Sequence, residues 1–341
     1  MKRSTIPPAL TTVSYNANNQ QTTFGTNTET YDLNGNLATV TDAGVTATYT
    51  WNARNQLTGI ATTGFAASFT YDSFGRRTGR TVQGVVTNFV YDGLNPVQEK
   101  AGATVTGNLL TGLGIDEFFT RTDGVGSRAL LPDALGSTVA LGDGTGTLQT
   151  QYTYEPFGYA TQTGLASASS YKYTGREDDG TGLYYYRARY YHPRLQRFIA
   201  EDPIGFAGGI NSYAYALNQP TRYTDPLGLE VRICCRPAQI AGGLFDHCWI
   251  TTDTISAGMG VNPNIPPGQQ YEGYGMPVQI IGHFNDTPVQ CTPQKNVDEQ
   301  CVNNQLQIGK SIGRFFPPFN QCQSFAYGTV NSCRTGPQIT P

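Results

Sequence analysis

The sequence predicts a mainly β protein, a solenoid of repeated β-hairpins followed by a second, smaller α+β domain. Three observations support this fold class. With 40 glycines, 21 tyrosines and only 14% charged residues in 341, the composition is typical of strands joined by tight turns. Pairs of an aromatic residue and Asp or Asn recur every 20 residues in the first third of the chain. All seven cysteines lie between Cys234 and Cys333, so the composition changes before the last third.

Each repeat predicts one β-hairpin. The repeat aromatics, each followed by Asp or Asn, are Tyr31, Trp51, Tyr71 and Tyr91. A Gly or Asn two to four residues later suits the positive φ of a tight turn, and an alternating strand follows. Because such units bury their faces only against their neighbours, hairpins in series predict a long curled sheet or solenoid. An ordinary β meander is the alternative interpretation.

The stretch after the repeats carries a specific resemblance. The sequence GLYYYRARYYHPRLQRF, continued by EDPIG and closed by TDPLGL, resembles the Rhs-associated core that closes YD-repeat proteins. The 20-residue pairs upstream are similar to YD repeats, so the resemblance covers about residues 30–229. His192 and Gln196 stand where that family usually has Asp and Gly, which we interpret as local turn changes. The resemblance implies a hollow β shell that encloses a variable C-terminal toxin.

This interpretation predicts three segments. They are 1–99, the YD-repeat hairpins; 100–229, the core with a self-cleavage site; and 230–341, a toxin-like domain. Four repeats are too few to enclose a domain of about 112 residues. We therefore expect the chain to be either the C-terminal part of a longer Rhs protein or a displaced cassette that recombines with a longer Rhs gene.

Two Asp-Pro-x-Gly segments, at 202–205 and 225–228, lie at the end of the core. Turn formation alone explains both segments. The alternative is that Asp202 and Asp225 come together as a carboxylate pair, in which one group is an acid and the other a base. Such a pair activates water against a nearby peptide bond.

The resemblance implies this second interpretation. Pro220 and the DPLGL sequence match the cleavage motif of the Rhs family, which places the scissile bond between Leu229 and Glu230. Arg189 and Arg197 are candidates to orient a carboxylate of the pair, and structural ion pairing is the other role open to them.

The odd number of cysteines predicts a free thiol. Three disulfides in an oxidising compartment leave one of the seven cysteines unpaired. Cys322 follows Asn320, a good helix cap, so we expect it in the first turn of a helix, where amides and the helix dipole lower its pKa. His247 and His283 lie within or at the end of strand-like runs and are the two histidines after the boundary.

The order of these residues resembles that of circularly permuted papain-like thiol hydrolases, including enzymes of the lecithin:retinol acyltransferase type. The residues SFA fit the motif beside the nucleophile of that family, although Gln321 replaces its Asn. The resemblance implies acyl transfer through a thioester. Cys322 would attack an amide or ester carbonyl, His247 would take and return the proton, and His283 would hold the imidazole in the required tautomer.

Two other interpretations of the tail stay open. In the first, Cys322 forms a disulfide with Cys333 and both histidines are ordinary polar residues on strands. In the second, side chains of the tail bind zinc, although no Cys-x2-Cys or His-x3-His spacing is present. The candidate zinc ligands are Cys234, Cys235, His247, Cys248 and His283. We expect no cofactor and no metal.

The function predicted from these features is that of the C-terminal part of a bacterial Rhs polymorphic toxin. A β shell and a self-cleaving core would release an effector that is an amidase, peptidase or acyltransferase. The alternatives are an effector of another activity, such as a nuclease, and a non-enzymatic β-repeat protein that binds a surface or a carbohydrate. The formal net charge of −3, with six basic and seven acidic residues from Glu230 onward, argues against a nucleic-acid partner.

The expected partners are the chain's own C-terminal domain inside the shell, an immunity protein and a delivery machinery. No apolar run reaches the length of a membrane span, and the N-terminal MKRSTIPPALTT lacks the apolar core of a secretory signal peptide. We therefore expect secretion or delivery to a target cell by another route, or a place on the bacterial cell surface.

Overall fold

The computed structural model describes residues 12–203, 211–226, 228, 232–237, 246–252, 256–261, 277–283, 290–294, 297, 299–314 and 322–334. The chain forms two compact units. The first contains Met1–Asp202 and Asn211–Gly228, and the second contains Pro203–Ile210 and Leu229–Pro341. The three segments expected from the sequence stay a prediction.

The first unit contains one long antiparallel sheet whose strands follow one another in chain order. This is the arrangement that hairpins in series predict, and the mainly β fold is confirmed. The sixteen strands in the described part of the sheet are β1 (Val13–Tyr15), β2 (Gln21–Phe24), β3 (Asn27–Tyr31), β4 (Leu37–Asp42), β5 (Val45–Trp51), β6 (Leu57–Thr62), β7 (Phe65–Tyr71), β8 (Arg77–Val82), β9 (Val85–Asp92), β10 (Asn95–Ala101), β11 (Thr104–Thr111), β12 (Phe118–Asp123), β13 (Gly126–Pro132), β14 (Thr138–Gly142), β15 (Leu148–Tyr154) and β16 (Ala160–Gly164).

The Asp or Asn after each of the first three repeat aromatics closes the turn to the next strand. In the first repeat, Oδ1 of Asp32 accepts hydrogen bonds from the amides of Asn34 and Asn36, both at 2.9 Å. Asn52 and Asp72 accept the same two bonds from the amides two and four residues further on. Asp and Asn have a short side chain whose oxygen can accept hydrogen bonds from two amides of the turn, which explains why the repeat has one of them at this place.

The repeat aromatics occupy equivalent places in successive hairpins, as predicted. Each lies at or next to the end of a strand, and three of them donate a hydrogen bond to the carbonyl fourteen residues earlier. These bonds run from Trp51 Nε1 to Leu37 at 2.8 Å, from Tyr71 Oη to Leu57 at 2.6 Å and from Tyr91 Oη to Arg77 at 2.8 Å. Each bond ties one hairpin to the preceding one, which is how a repeat without its own core becomes stable.

A four-stranded sheet packs against the long sheet within the first unit. Its strands are β17 (Glu177–Asp178), β18 (Tyr184–Tyr186), β19 (Arg189–His192) and β20 (Arg197–Phe198). The two sheets share a hydrophobic cluster that includes Leu57 and Phe69 on one side and Tyr185 on the other. Arg77 of the long sheet is fully buried and forms ion pairs with Glu177 and Asp179. These contacts fix β18 and β19, and β19 carries Arg189 of the first candidate site.

The two departures from the family sequence are local turn changes, as expected. Nδ1 of His192 accepts a hydrogen bond from the amide of Leu195 at 3.2 Å, so the imidazole supplies the acceptor that an Asp would supply. Gln196 has a φ of +60°, the left-handed conformation that favours Gly.

Glu29 on β3 makes stability depend on pH. Its side chain is buried, and neither carboxylate oxygen has a hydrogen-bond partner among the described residues. Burial raises the pKa of Glu29 from 4.5 to about 7, and the charge of Arg197 lowers it in part. Because the folded pKa lies above the unfolded pKa, the protonated form stabilises the fold. That stabilisation is complete below about pH 4.5 and is lost as the pH rises through about 7.

We therefore expect the unfolding temperature of the first unit to fall between about pH 5 and about pH 8. The loss in free energy of unfolding should not exceed about 3 kcal/mol. Glu29→Gln should remove this part of the pH dependence, and the exposed Asp42→Asn should keep it. An unchanged pH slope in Glu29→Gln would contradict the assignment. The measurement is thermal unfolding by circular dichroism across this pH range.

The described elements of the second unit are β21 (Arg232–Pro237), β22 (Asp246–Thr251), β23 (Ser256–Val261), β24 (Pro277–Gly282), β25 (Gln290–Pro293), α1 (Glu299–Gln305), β26 (Ser311–Arg314) and α2 (Cys322–Ser332). These six described strands form one antiparallel sheet in the order β25-β21-β22-β23-β24-β26. The helix α2 buries Ala326 and Val330 in a cluster with Ile250 of β22 and Ile280 of β24. This packing fixes the start of α2 relative to β22.

Three disulfides crosslink the second unit. Cys234–Cys291 joins β21 to β25, Cys235–Cys248 joins β21 to β22, and Cys301–Cys333 joins α1 to the end of α2. The adjacent cysteines of β21 point to opposite faces of the sheet, and each bonds to the residue directly opposite on a different neighbouring strand.

Candidate functional sites

Asp202 and Asp225 meet at one arginine. Nη2 of Arg189 lies 2.9 Å from Oδ2 of Asp202 and 3.5 Å from Oδ2 of Asp225. All three residues are buried, and the guanidinium of Arg189 lies 3.7 Å from the ring centre of Phe198. The guanidinium of Arg189 therefore faces both carboxyl groups in a place from which water is largely excluded.

Two arginines hold the backbone of the second Asp-Pro-x-Gly segment. Nε of Arg189 donates to the carbonyl of Gly228 at 2.5 Å, and Nη1 of Arg187 donates to the carbonyl of Pro226. Gly228 has a φ of +68°, and a Cβ there would lie 2.4 Å from the carbonyl oxygen of Tyr186. Only glycine fits this position, which explains the last residue of the motif.

Three other residues are predicted for this site from the sequence, namely Leu229, Glu230 and Arg197. Leu229 and Glu230, expected to flank the scissile bond, lie outside the described residues. Arg197 lies over the rings of Tyr15 and Tyr213, at 5.0 and 5.1 Å from their centres. Nη2 of Arg197 also donates to Oδ1 of Asn211 at 3.4 Å, and no described contact joins Arg197 to Asp202 or Asp225, so the expectation that Arg197 orients a carboxylate of the pair is wrong.

The structure brings Cys322 and His247 together. Cys322 is not disulfide bonded and is the first residue of α2. Its Sγ lies 3.1 Å from Nδ1 of His247 on β22. The alternative of a Cys322–Cys333 disulfide is wrong, because Cys333 is bonded to Cys301. Asn320, the predicted helix cap, lies outside the described residues.

The sulfur lies where β22 and β23 separate. The described ladder between these strands runs as far as the pair Trp249 and Gly258, so the next residues are Cys248 and Met259. The amide of Cys248 donates to the sulfur of Cys322, and that sulfur lies 3.6 Å from the carbonyl oxygen of Met259. The thiol therefore contacts both main-chain groups at the opening of the ladder.

His283 and Trp249 form an aromatic wall beside His247. The ring centres of His283 and His247 are 4.9 Å apart, and the rings of Trp249 and His283 are stacked at 5.2 Å. A Cβ at Gly258 would lie 2.7 Å from Cβ of Trp249 and 3.2 Å from Nε2 of His283. Gly258 thus makes room for the wall. The role of His283 in orienting His247 stays a prediction.

The expected direction of the Cys322 pKa is wrong. Burial raises the pKa of this thiol to about 11, and hydrogen bonds from the amides of Cys322 and Cys248 lower it only in part. The helix start was expected to give a thiolate, but the packing around the sulfur removes the water that would solvate the charge. At neutral pH the resting group is therefore a neutral thiol, and His247 has to remove its proton during attack.

The pH dependence of Cys322 alkylation should show this. We expect the iodoacetamide reaction rate to rise about tenfold per pH unit from pH 6 to about pH 10, because only the thiolate reacts. Mass spectrometry of the alkylated peptide measures the rate. A rate that reaches a plateau near pH 7 would contradict the raised pKa and support a stabilised thiolate.

The zinc interpretation is also wrong. The thiols of Cys234, Cys235 and Cys248 are in disulfides and cannot act as thiolate ligands. Among the described residues, no group of three or more His, Cys, Asp or Glu side chains could hold a metal ion.

Sequence reasoning missed several residues of both sites. Arg187 stands two residues before Arg189 in the RAR sequence, but it has a φ of +58° in the turn between β18 and β19, so strand periodicity gave no signal for its position. Trp249 stands two residues after His247 on the same strand, a period of two that places both side chains on one face of the sheet. No sequence signal pointed to Met259, because it contributes only its main-chain carbonyl.

Comparison with known proteins agrees with the fold. The Teneurin YD-shell family model matches residues 2–220. The chain belongs to the Teneurin YD-shell family. The predicted resemblance to YD-repeat proteins is thereby confirmed for the first unit.

The matched relatives are much longer proteins. Toxin subunit YenC1 of Yersinia entomophaga is 41% identical over 100 residues, which are 28% of this chain and 10% of that protein. The tRNA nuclease WapA of Bacillus subtilis is 35% identical over 166 residues, which are 44% of this chain and 7% of that protein. The crystal structure of TcdB2-TccC3-Cdc42 aligns with 59% of this chain and 13% of its own, with a TM-score of 0.46 and 21% identity. The chain thus spans a tenth or less of the two curated relatives.

Proposed function

We propose that the second unit is a thiol-dependent amidase, peptidase or acyltransferase, and that it is the effector of a Rhs-type toxin. The observation that carries the proposal is the 3.1 Å distance between Sγ of Cys322 and Nδ1 of His247. The other six cysteines form disulfides, so this thiol alone is available as a nucleophile. A nucleophile and a base within hydrogen-bond reach are what covalent acyl transfer requires.

The reaction follows from this geometry. Sγ of Cys322 attacks the carbonyl carbon of an amide or ester while its proton moves to Nδ1 of His247. His247 returns the proton to the leaving amine or alcohol, and a thioester remains. Water, or another acceptor, then attacks the thioester and the thiol is regenerated.

The proposed reaction requires one particular tautomer of the His247 imidazole. Nδ1 must be unprotonated to accept the thiol proton, so the ring proton of the neutral imidazole is on Nε2. His283, with its ring centre 4.9 Å away, is the residue proposed to hold this tautomer.

We propose separately that the first unit cleaves the chain between Leu229 and Glu230. The buried pair of Asp202 and Asp225 supports this, because both contact Arg189, whose Nε also holds the carbonyl of Gly228. One carboxyl group would activate water and the other would protonate the leaving nitrogen.

The toxin context is a proposal that rests on relatives. YenC1 is named a toxin subunit, and the family is a shell family. The proposed partners are the chain's own effector inside the shell, an immunity protein and a delivery machinery. Disulfides persist in oxidising compartments, so we place the working enzyme outside the reducing cytosol, secreted or delivered, or at the cell surface. Neither described helix is long and apolar enough to cross a bilayer.

Acylation by p-nitrophenyl acetate tests the thiol reaction. The purified full chain should release nitrophenol, and intact mass should show one acetyl group that peptide mapping places on Cys322. His247→Ala should lower the acylation rate by about 100-fold or more. A chain that is acetylated elsewhere, or equally fast without His247, would overturn the proposal.

A nucleic-acid-directed effector is the second candidate. The observation that favours it is that WapA is named a tRNA nuclease. Degradation of tRNA by the purified chain, unchanged in Cys322→Ala, would support this candidate over the thiol enzyme.

A further inference from the structure

The disulfide Cys235–Cys248 lies next to the proposed base. Cys248 is the residue after His247 on β22, and Cys235 is directly opposite on β21. The two Cα atoms are 4.1 Å apart, a spacing typical of an antiparallel pair that exchanges no ladder hydrogen bonds. The amide of Cys248 therefore points away from β21 and toward β23.

The Cys248 amide meets the nucleophile on that side. If β22 and β23 stayed paired, Cys248 and Met259 would form the next rung of the ladder. The sulfur of Cys322 contacts both groups instead, with the Cys248 amide as donor and the Met259 carbonyl at 3.6 Å. One short stretch of β22 thus carries both the base and a main-chain donor to the reacting sulfur.

We propose that the Cys235–Cys248 disulfide is a positioning element of the thiol site, and that its reduction uncouples His247 from Cys322. This inference rests on the proposed thiol reaction. The described pairing of β22 with β23 stops at Trp249. The residues of β22 before Trp249, which include His247 and Cys248, are paired with β21 in the described sheet. The disulfide crosslinks that remaining pair at the residue next to His247.

The proposal makes the enzyme dependent on redox conditions. A dithiol reductant gives two electrons and two protons to the disulfide, which becomes two thiols, and the dithiol is oxidised to its own disulfide. Without the crosslink, His247 and the Cys248 amide lose their fixed distance to the sulfur, and a displacement of about 1 Å lowers such a rate by about 100-fold. The enzyme would then be weak in a reducing cytosol and active after oxidation.

A matched pair of variants of the full chain tests the inference. Cys235→Ala/Cys248→Ala removes the proposed positioning disulfide, and Cys234→Ala/Cys291→Ala removes the disulfide on the other side of β21. The sequence separations are 13 and 57 residues, so loop-closure entropy predicts that the control variant loses more stability. A purely structural role would therefore harm the control variant at least as much.

The main measurement is a double-mutant cycle on Cys322 alkylation by iodoacetamide. In the wild type and in the control variant, His247→Ala should lower the alkylation rate at least about threefold, because His247 accepts the proton of the thiol. In Cys235→Ala/Cys248→Ala, the further His247→Ala change should have almost no effect. Thermal unfolding and the mass of the remaining disulfides verify that each variant is folded. If the alanine pair does not fold, Cys235→Val/Cys248→Ala replaces it.

Two results would overturn the inference: persistence of the His247 effect without the Cys235–Cys248 disulfide, or its equal loss in the control variant. Acylation by p-nitrophenyl acetate separates this outcome from the fate of the proposed function. A wild type that is not acylated refutes the acyl-transfer activity, and the alkylation cycle still decides whether the disulfide positions His247.

Discussion

Export of the full chain to the periplasm of a sensitive bacterium is expected to stop its growth, and Cys322→Ala is expected to restore growth completely. The reason is chemical, because no other free thiol exists in the chain and the sulfur is the atom that would form the thioester. Growth curves with matched expression levels measure the effect. Gln323→Ala, an exposed neighbour on the same helix, is the control and should stay toxic.

The base should be nearly as important as the nucleophile. His247→Ala should lower the rate by about 100- to 10,000-fold, because a thiol whose pKa is raised to about 11 needs a base to lose its proton at neutral pH. Cys322→Ser should also fail, since a hydroxyl is a far poorer nucleophile than a thiolate. Cys333→Ala should lower stability and leave the reaction in place.

Growth arrest by the Cys322→Ala chain would refute the thiol enzyme and favour a nuclease. A harmless wild type in every compartment tested would favour a binding or structural protein. Residues 230–341 expressed alone, with the same substitutions, would show whether toxicity resides in the predicted toxin-like domain.

Substitution of either buried aspartate should stop self-cleavage. We expect purified wild-type protein to separate into one fragment ending at Leu229 and one beginning at Glu230. Asp225→Asn and Asp202→Asn should each leave the full-length chain intact, because an amide can neither activate water nor donate the required proton. Intact-mass measurement identifies the fragments, and circular dichroism verifies that the uncleaved variants are folded.

Two further variants test the geometry of this site. Glu201→Gln changes the exposed carboxylate beside Asp202 and should cleave normally. Gly228→Ala should slow cleavage strongly, because its Cβ would lie 2.4 Å from the Tyr186 carbonyl and would displace the segment that leads to the scissile bond. Normal cleavage in both aspartate variants would exclude the carboxylate pair.

The repeated hairpins could be predicted from the sequence because their causes are local. The Asp32 side chain caps a turn within four residues, and Gly35 has the φ of +76° that the turn needs. The helix start at Cys322 was also predicted from neighbouring residues, and α2 begins at this residue. Counting the cysteines also predicted one free thiol, since three disulfides leave one of seven.

The chemistry of both sites depends on contacts between distant parts of the chain, which local patterns do not encode. Arg189 on β19 contacts both Asp202 and Asp225, whereas Arg197 on β20 lies over the ring of Tyr15. Which of the two arginines contacts the aspartates follows from how β19 and β20 pack. The pKa of Cys322 was predicted in the wrong direction, because the helix start is visible in the sequence and the burial of the sulfur between β22 and β23 is not. Burial is a property of the packed chain. Here the loss of water around the sulfur raises the pKa of Cys322 more than the hydrogen bonds from the neighbouring amides lower it.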